Sequence, residues 1–167
     1  QTTCQVHLRA FKDNDSITLE PFRANAFPII KDLIVDRSSF DRIIQKGGFI
    51  SANTGTAVEA NSILIGKKDA DYSMAMAACI GCGACVATCK NASAALFTSA
   101  KINHLNSLPQ GMGEAQSRTL NLVDQMEAEG FGHCSFTGAC EIECPEHINL
   151  SSIARMNFSY MKATILK

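Results

Sequence analysis

The sequence predicts a mainly α-helical domain folded around two cysteine runs, with a short β-structured stretch ahead of it. Three observations lead there. Seven of the eight cysteines lie in Cys79-Ile-Gly-Cys82-Gly-Ala-Cys85-Val-Ala-Thr-Cys89 and Cys134-Ser-Phe-Thr-Gly-Ala-Cys140-Glu-Ile-Glu-Cys144-Pro145. Segments with apolar residues at helical spacing flank both runs. Alternating apolar and polar residues are confined to the first two dozen positions.

From the N-terminus, Val6, Leu8 and Ala10 alternate with polar neighbours, Lys12-Asp13-Asn14-Asp15 reads as a turn, and Ile17, Leu19 and Phe22 form a second alternating run around Pro21. A lone hairpin is marginal in water, so this one is expected to be the remnant of a larger β structure. The start at Gln1 and the isolated Cys4 lead us to expect a fragment whose earlier residues are missing. From Phe27-Pro28-Ile29-Ile30 the period turns helical, with Leu33, Ile34, Phe40, Ile43 and Ile44 on one face and Gly47-Gly48 as the stop. Phe49 to Lys68 reads as a loop wrapping the domain, and Asp69 to Ala78 as a short helix delivering Cys79. Ser93 to Leu108 reads as a helix stopped by Pro109-Gln110-Gly111. Gly113 to Glu129 reads as another, with Leu120, Val123 and Met126 inward and Gly130 as its end. A last helix follows Pro145, capped by Asn149 or Ser151, with Ile153, Met156, Tyr160, Met161 and Ile165 facing the core.

The first run spaces its sulfurs as C-x2-C-x2-C-x3-C, the spacing with which a bacterial ferredoxin grips an iron-sulfur cubane with three thiolates and sends the fourth to a second cluster. The second run repeats that frame, except that Thr137 stands where the second cysteine belongs. With the last cysteine of each run crossing over, a 4Fe-4S cluster takes Cys79, Cys82, Cys85 and Cys144. Cys89, Cys134 and Cys140 remain for the other cluster, and three thiolates with a poorly binding hydroxyl suit a 3Fe-4S cluster. Gly81, Gly83, Ala84 and Ala87 let the backbone curl and turn N–H groups towards anionic sulfides. Disulfides are disfavoured by the close spacing, and structural zinc prefers two well-separated knuckles.

Composition narrows the function further. Fifteen Lys plus Arg nearly balance sixteen Asp plus Glu, which gives no footprint for nucleic acid. No stretch reaches the run of about 18 to 20 apolar residues that spans a bilayer, and no signal peptide is visible. Cysteines that must be reduced to take iron favour a reducing compartment. No nucleophile–base arrangement or phosphate-binding glycine loop is present, so no residue is expected to be catalytic. His133 and His147, beside the second run, and Lys90, beside Cys89, are candidates for tuning a cluster.

The segment Phe27-Pro-Ile-Ile-Lys-Asp-Leu-Ile-Val-Asp-Arg37, the two runs with Thr137 in the latter, and Cys144-Pro145 before a helix resemble the iron-sulfur subunit of succinate dehydrogenase and fumarate reductase, in the form found in Bacteroidetes. That resemblance covers essentially the whole chain. It implies the C-terminal remnant of a plant-ferredoxin-like 2Fe-2S domain over residues 1–25 and an α-helical ferredoxin domain with 4Fe-4S and 3Fe-4S clusters over residues 26–167. Cys4 would be the last 2Fe-2S ligand, the other three lying upstream, so that a 2Fe-2S cluster belongs only to the full-length protein.

The implied role is a non-catalytic electron-transfer subunit that relays electrons between a flavoprotein subunit and quinone at a membrane-anchor cytochrome b subunit. Such a subunit sits on the cytoplasmic face of the inner membrane, held there through its partners. Ser93, Ala94 and Ser135 replace the bulky or basic quinone-side residues of ubiquinone-linked members, and the chain has no Trp. Menaquinone bound mainly by the anchor is therefore expected. Two other readings compete. One is a subunit of a glycolate-oxidase-like or heterodisulfide-reductase-like complex, in which both runs would be complete. The other is a zinc-binding structural module.

Overall fold

In the computed structural model, residues 2–22, 24–51 and 64–166 are described. Among them the chain is mainly helical with one small antiparallel hairpin. The hairpin pairs β1 (Ile29–Lys31) with β2 (Ile34–Val35). The helices are α1 (Ser38–Gln45), α2 (Lys67–Ala77), α3 (Ala84–Thr88), α4 (Ala95–Asn106), α5 (Pro109–Met112), α6 (Ala115–Ala128), α7 (Ala139–Ile142) and α8 (Ser151–Ile165).

The β structure is not where the alternation placed it. Thr3–Gln5 and Leu8–Ala10 form single 3-10 turns, and the described part of residues 1–25 contains no strand. The turn itself forms, closed by the Asp15 N–H on the Lys12 carbonyl (3.0 Å) and the Lys12 N–H on Asp15 Oδ2 (2.8 Å). Its flanks have no neighbouring strand to satisfy their backbone groups, and an alternating pattern without a partner does not make a sheet. The hairpin arises instead at Ile29–Val35, inside the stretch read as helical. Pro28 disfavours a helix ahead of it, the β-branched Ile29, Ile30, Ile34 and Val35 prefer extended backbone, and Asp32 takes a positive φ (55°) at the turn. Leu33 and Ile34 are accordingly exposed rather than core.

The α1 helix opens only at Ser38, whose N–H bonds Asp36 Oδ1 (2.8 Å) and so holds that carboxyl below its usual range. It does bury Phe40 and Ile43 as the periodicity requires. The loop expected over Phe49–Lys68 falls largely on residues 52–63, outside the described residues, and Lys67 already begins α2.

Four helices make the body, with α4 central: it packs on α2, α6 and α8, and α6 also packs on α8. The α4 helix is buried nearly all round, through Ala95, Leu96, Phe97, Ala100, Ile102 and Leu105. Its polar members are spent internally. Asn103 Nδ2 donates to the carbonyls of Ser99 (2.8 Å) and Ser152 (2.9 Å), and the hydroxyls of Ser99 and Ser152 bond each other (2.8 Å), which locks α4 to α8. In α8, Ile153 and Met156 are buried and Tyr160 partly so, whereas Met161 and Ile165, expected inward, are exposed; Ala163 closes the contact instead. Asn149 Oδ1 accepts the Ser151 N–H (2.8 Å) at the start of that helix. In α6, Val123 is buried with Leu122, while Leu120 and Met126 are half-buried. An aromatic stack leads from this body to the cysteines: Phe40 lies parallel to Phe97 at 3.8 Å and meets Phe27 edge-on at 5.1 Å.

Candidate iron-sulfur site

Both cysteine runs fold along the same backbone path, 55 residues apart, as Cys79 and Cys134, Cys85 and Cys140, and Cys89 and Cys144 are spaced. Six of the eight positive-φ residues among the described residues fall into three pairs at that offset: Gly81 with Phe136 (62° and 56°), Gly83 with Gly138 (87° and 81°), and Ala92 with His147 (50° and 53°). Each run then forms one short helix, α3 or α7, from the glycine in the left-handed conformation, and these two helices pack together. The hydrogen bonds repeat as well. Cys89 N–H reaches the Val86 carbonyl (3.2 Å) as Cys144 N–H reaches that of Glu141 (3.3 Å), and Ala92 closes on Cys89 (2.9 Å) as His147 closes on Cys144 (3.1 Å).

The left-handed turn at Gly83 suits glycine twice over, because a Cβ there would also stand 2.8 Å from Phe27 Cε2. Gly132, at the entry to the second run, lies so close to the exit of the first that a Cβ would fall 1.9 Å from the Asn91 carbonyl oxygen. Asn91 bridges the same junction, donating through Nδ2 to the His133 carbonyl (2.8 Å) and to Ser135 Oγ (3.0 Å).

This path gathers the sulfurs into two groups that cross between the runs. Cys79, Cys82, Cys85 and Cys144 line one cavity, with Ile80, Gly81, Leu96, Phe97, Pro145, Glu146 and Ile148 as its wall. Cys144, last in the second run, thus stands with the first three cysteines of the first run. Burial pushes the Cys79 and Cys85 thiols up, and the neighbouring sulfurs push them further: Cys144 and Cys82 act on Cys79, and Cys79, Cys82, Cys140 and Cys144 act on Cys85. For Cys79 the Gly81 N–H and the Lys101 ammonium pull the other way. The second group consists of Cys134, Cys140 and Cys89. Burial raises the Cys140 thiol first, and the sulfurs of Cys134 and Cys89 add to the rise. Thr137, which completes that group by position, is exposed.

Three features fit an iron-sulfur group. The donors are thiols, soft ligands suited to such clusters. Among the described residues no three Cys, His, Asp or Glu side chains converge closely enough to hold a single metal ion; the sulfurs ring a space instead, as a cluster needs and a tetrahedral zinc ion does not. Backbone N–H groups also point at sulfur, from Phe136 to Cys134 Sγ and from Ile148 to Cys144 Sγ, both at 3.4 Å. Thiols held protonated by burial must lose their protons when iron binds, so loading releases protons.

The remaining predicted residues lie as follows. Cys4 is exposed, its thiol on Thr2 Oγ1 (3.3 Å), apart from both groups. Lys90, His133 and His147 are exposed. Ser93 is buried with its Oγ accepting the Ala95 N–H (3.3 Å), Ala94 is wholly buried, and Ser135 is exposed. Sequence reasoning missed the wall residues Leu96, Phe97, Glu146 and Ile148. The 55-residue offset was the available signal, since it pairs each position of one run with one of the other.

Comparison with known proteins agrees with this chemistry. Residues 75–148 match the family model of a 4Fe-4S dicluster domain, a span covering both runs. Over 148 residues, 84% of the chain, the sequence is 28% identical to the succinate dehydrogenase iron-sulfur subunit of Bacillus subtilis (strain 168). The chain spans 56% of the length of that relative. A 4Fe-4S cluster-binding domain and iron-sulfur electron transfer are thus supported.

Proposed function

We propose that the chain is the electron-transfer iron-sulfur subunit of a succinate dehydrogenase or fumarate reductase, relaying electrons between a flavoprotein subunit and membrane quinone. The observation that carries this reading is the crossing of cysteines between runs combined with the gap at Thr137. Four thiolates, Cys79, Cys82, Cys85 and Cys144, hold a 4Fe-4S cluster, and Cys89, Cys134 and Cys140 hold a 3Fe-4S cluster. The clusters supply one-electron transfer, and the chain performs no bond-making chemistry of its own. Its residues fix the distance between the two sites through the packed pair α3 and α7, keep water from the first site with Phe97, Leu96 and Ile148, and point N–H groups at the sulfurs.

The similarity to the Bacillus subunit supports partners of the kind such a subunit works with, a flavoprotein on one side and a membrane-anchor cytochrome b on the other. In this reading the chain sits at the cytoplasmic face of the inner membrane. No described helix is long and apolar enough to cross a membrane. Small residues at Ser93, Ala94 and Ser135 leave quinone, menaquinone in this reading, to be bound mainly by the anchor. Cys4 would serve a 2Fe-2S cluster together with cysteines of a preceding segment.

The test is paramagnetic resonance with iron and sulfide counting on protein assembled without air. One 4Fe-4S signal under a strong reductant and one oxidised 3Fe-4S signal are expected, the latter being lost on addition of succinate when the flavoprotein subunit is present. Two 4Fe-4S clusters with no 3Fe-4S signal on oxidation would refute the assignment at Thr137, and clusters indifferent to succinate would refute the partner.

A further inference from the structure

The repeated backbone path makes each wall residue of the first cavity comparable with its mate 55 positions away, and four of these pairs change polarity in one direction. Ile80 corresponds to Ser135, Pro145 to Lys90, Glu146 to Asn91 and Ile148 to Ser93. Around the first site stand two isoleucines, a proline and a carboxylate; the corresponding positions for the second are two serines, a lysine and an amide. An added electron is a negative charge, which polar groups and cations stabilise and a nearby carboxylate opposes. All four exchanges therefore favour the electron at the second site.

Two of the four exchanges involve a full charge: Lys90, which is exposed, and Glu146, which lies half-buried in the cavity wall. It lines the cavity two residues after Cys144, is half-buried, and its carboxylate makes no hydrogen bond or ion pair with another described residue. Its mate Asn91 is neutral, and its amide is occupied in bridging to His133 and Ser135. Two cations stand near the first site: Lys101, half-buried on α4 one turn beyond Phe97, whose charge acts on Cys79, and Arg37, whose guanidinium lies 3.6 Å from where a Cβ on Gly81 would stand. Their charges oppose that of Glu146, and removing the carboxylate leaves them in place.

We propose that Glu146 is a potential-setting residue: its carboxylate in the wall of the first cavity raises the energy of an electron there, while Asn91 leaves the second site free of that charge. The step it biases is a single-electron transfer in which the first site is oxidised and the second reduced by the same electron. No bond is made or broken. This inference rests on the two-cluster reading above.

The experiment is a redox titration of the full chain assembled without air, each site followed by its own paramagnetic signal. Glu146→Gln should make the first site about tenfold more reduced at a given potential, a rise of about 59 mV for a one-electron couple, and leave the second site unmoved. Glu146→Lys should move the first site further in the same direction, and Glu146→Asp should keep it near the wild-type potential, with iron content unchanged in all three. A first site that stays put in the Gln and Lys variants, or two sites that shift together, would overturn the proposal. Failure of the wild type to show two distinguishable clusters would instead overturn the reading on which it rests.

Discussion

Thr137 is the residue on which the two halves of the site diverge most. It occupies the position of Cys82 in the repeated path, between Phe136 and Gly138, whose backbone angles match those of Gly81 and Gly83. The second run is thus folded to present a ligand at 137, and what it presents is a hydroxyl. That oxygen stays protonated near neutrality and is a harder donor than cluster iron prefers. Thr137→Cys is accordingly expected to let a fourth iron bind at the second site, replacing the oxidised 3Fe-4S signal with a reduced 4Fe-4S signal at lower potential. Persistence of the 3Fe-4S signal in a fully loaded variant would show that something other than the missing thiolate keeps the fourth iron out.

Among the elements, α6 carries a feature with no counterpart in its apolar pattern. Arg118 is almost wholly buried, and its guanidinium donates to the carbonyls of Gly47 (3.1 Å), Gly111 (2.7 Å) and Phe49 (3.1 Å), to Asn106 Oδ1 (2.7 Å) and to Glu114 Oε2 (3.0 Å). One side chain so ties the end of α1, the turn of α5 and the last residue of α4 to α6. Burial lowers its proton affinity and Glu114 restores part of it. Arg118→Met keeps much of the volume but strands three carbonyls and one amide oxygen, an expected loss of roughly 3 kcal/mol. The measurement is denaturant unfolding of the cluster-loaded protein. Its visible spectrum before unfolding should stay unchanged, because Arg118 touches neither group of cysteines. A loss below about 0.5 kcal/mol, the size of an ordinary surface change, would mean that the network is dispensable.

For the molecule as a whole, the core begins at Ala24, Ala26 and Phe27 and runs through α1, α4, α6 and α8 to the cysteine runs. Among the described residues before Ala24 none belongs to that core, and Leu8, Ile17 and Leu19 are exposed. The position of Cys4, exposed and outside that core, gives a direct expectation: Cys4→Ser should leave the iron content and visible spectrum of this chain unchanged. Loss of iron in that variant would place Cys4 in one of the two groups formed by the later cysteines.

What the sequence determined by itself was the chemistry, because metal-ligand spacing is local and leaves its mark directly in residue order. The runs, the company of Cys144 with the first three cysteines and the break at Thr137 could be read from spacing, as could α2, α4, α6 and α8, whose apolar residues recur along a single stretch. Of the helix read from Phe27 to Gly47-Gly48 only the second half forms, as α1, since the β-branched residues behind Pro28 carry a period that fits a helix but a backbone preference that does not. The strands expected before Phe22 failed for the opposite reason: alternation describes a face, whereas a strand exists only when a neighbour takes up its hydrogen bonds. Only the tertiary structure decided that Arg118 turns inward and that Met161 and Ile165 turn outward, as burial depends on what packs opposite. It also brought Phe97, Ile148 and Glu146 into one wall with four sulfurs. Those residues come from elements far apart in the chain, and their shared environment exists only once α4 and the two runs have packed together.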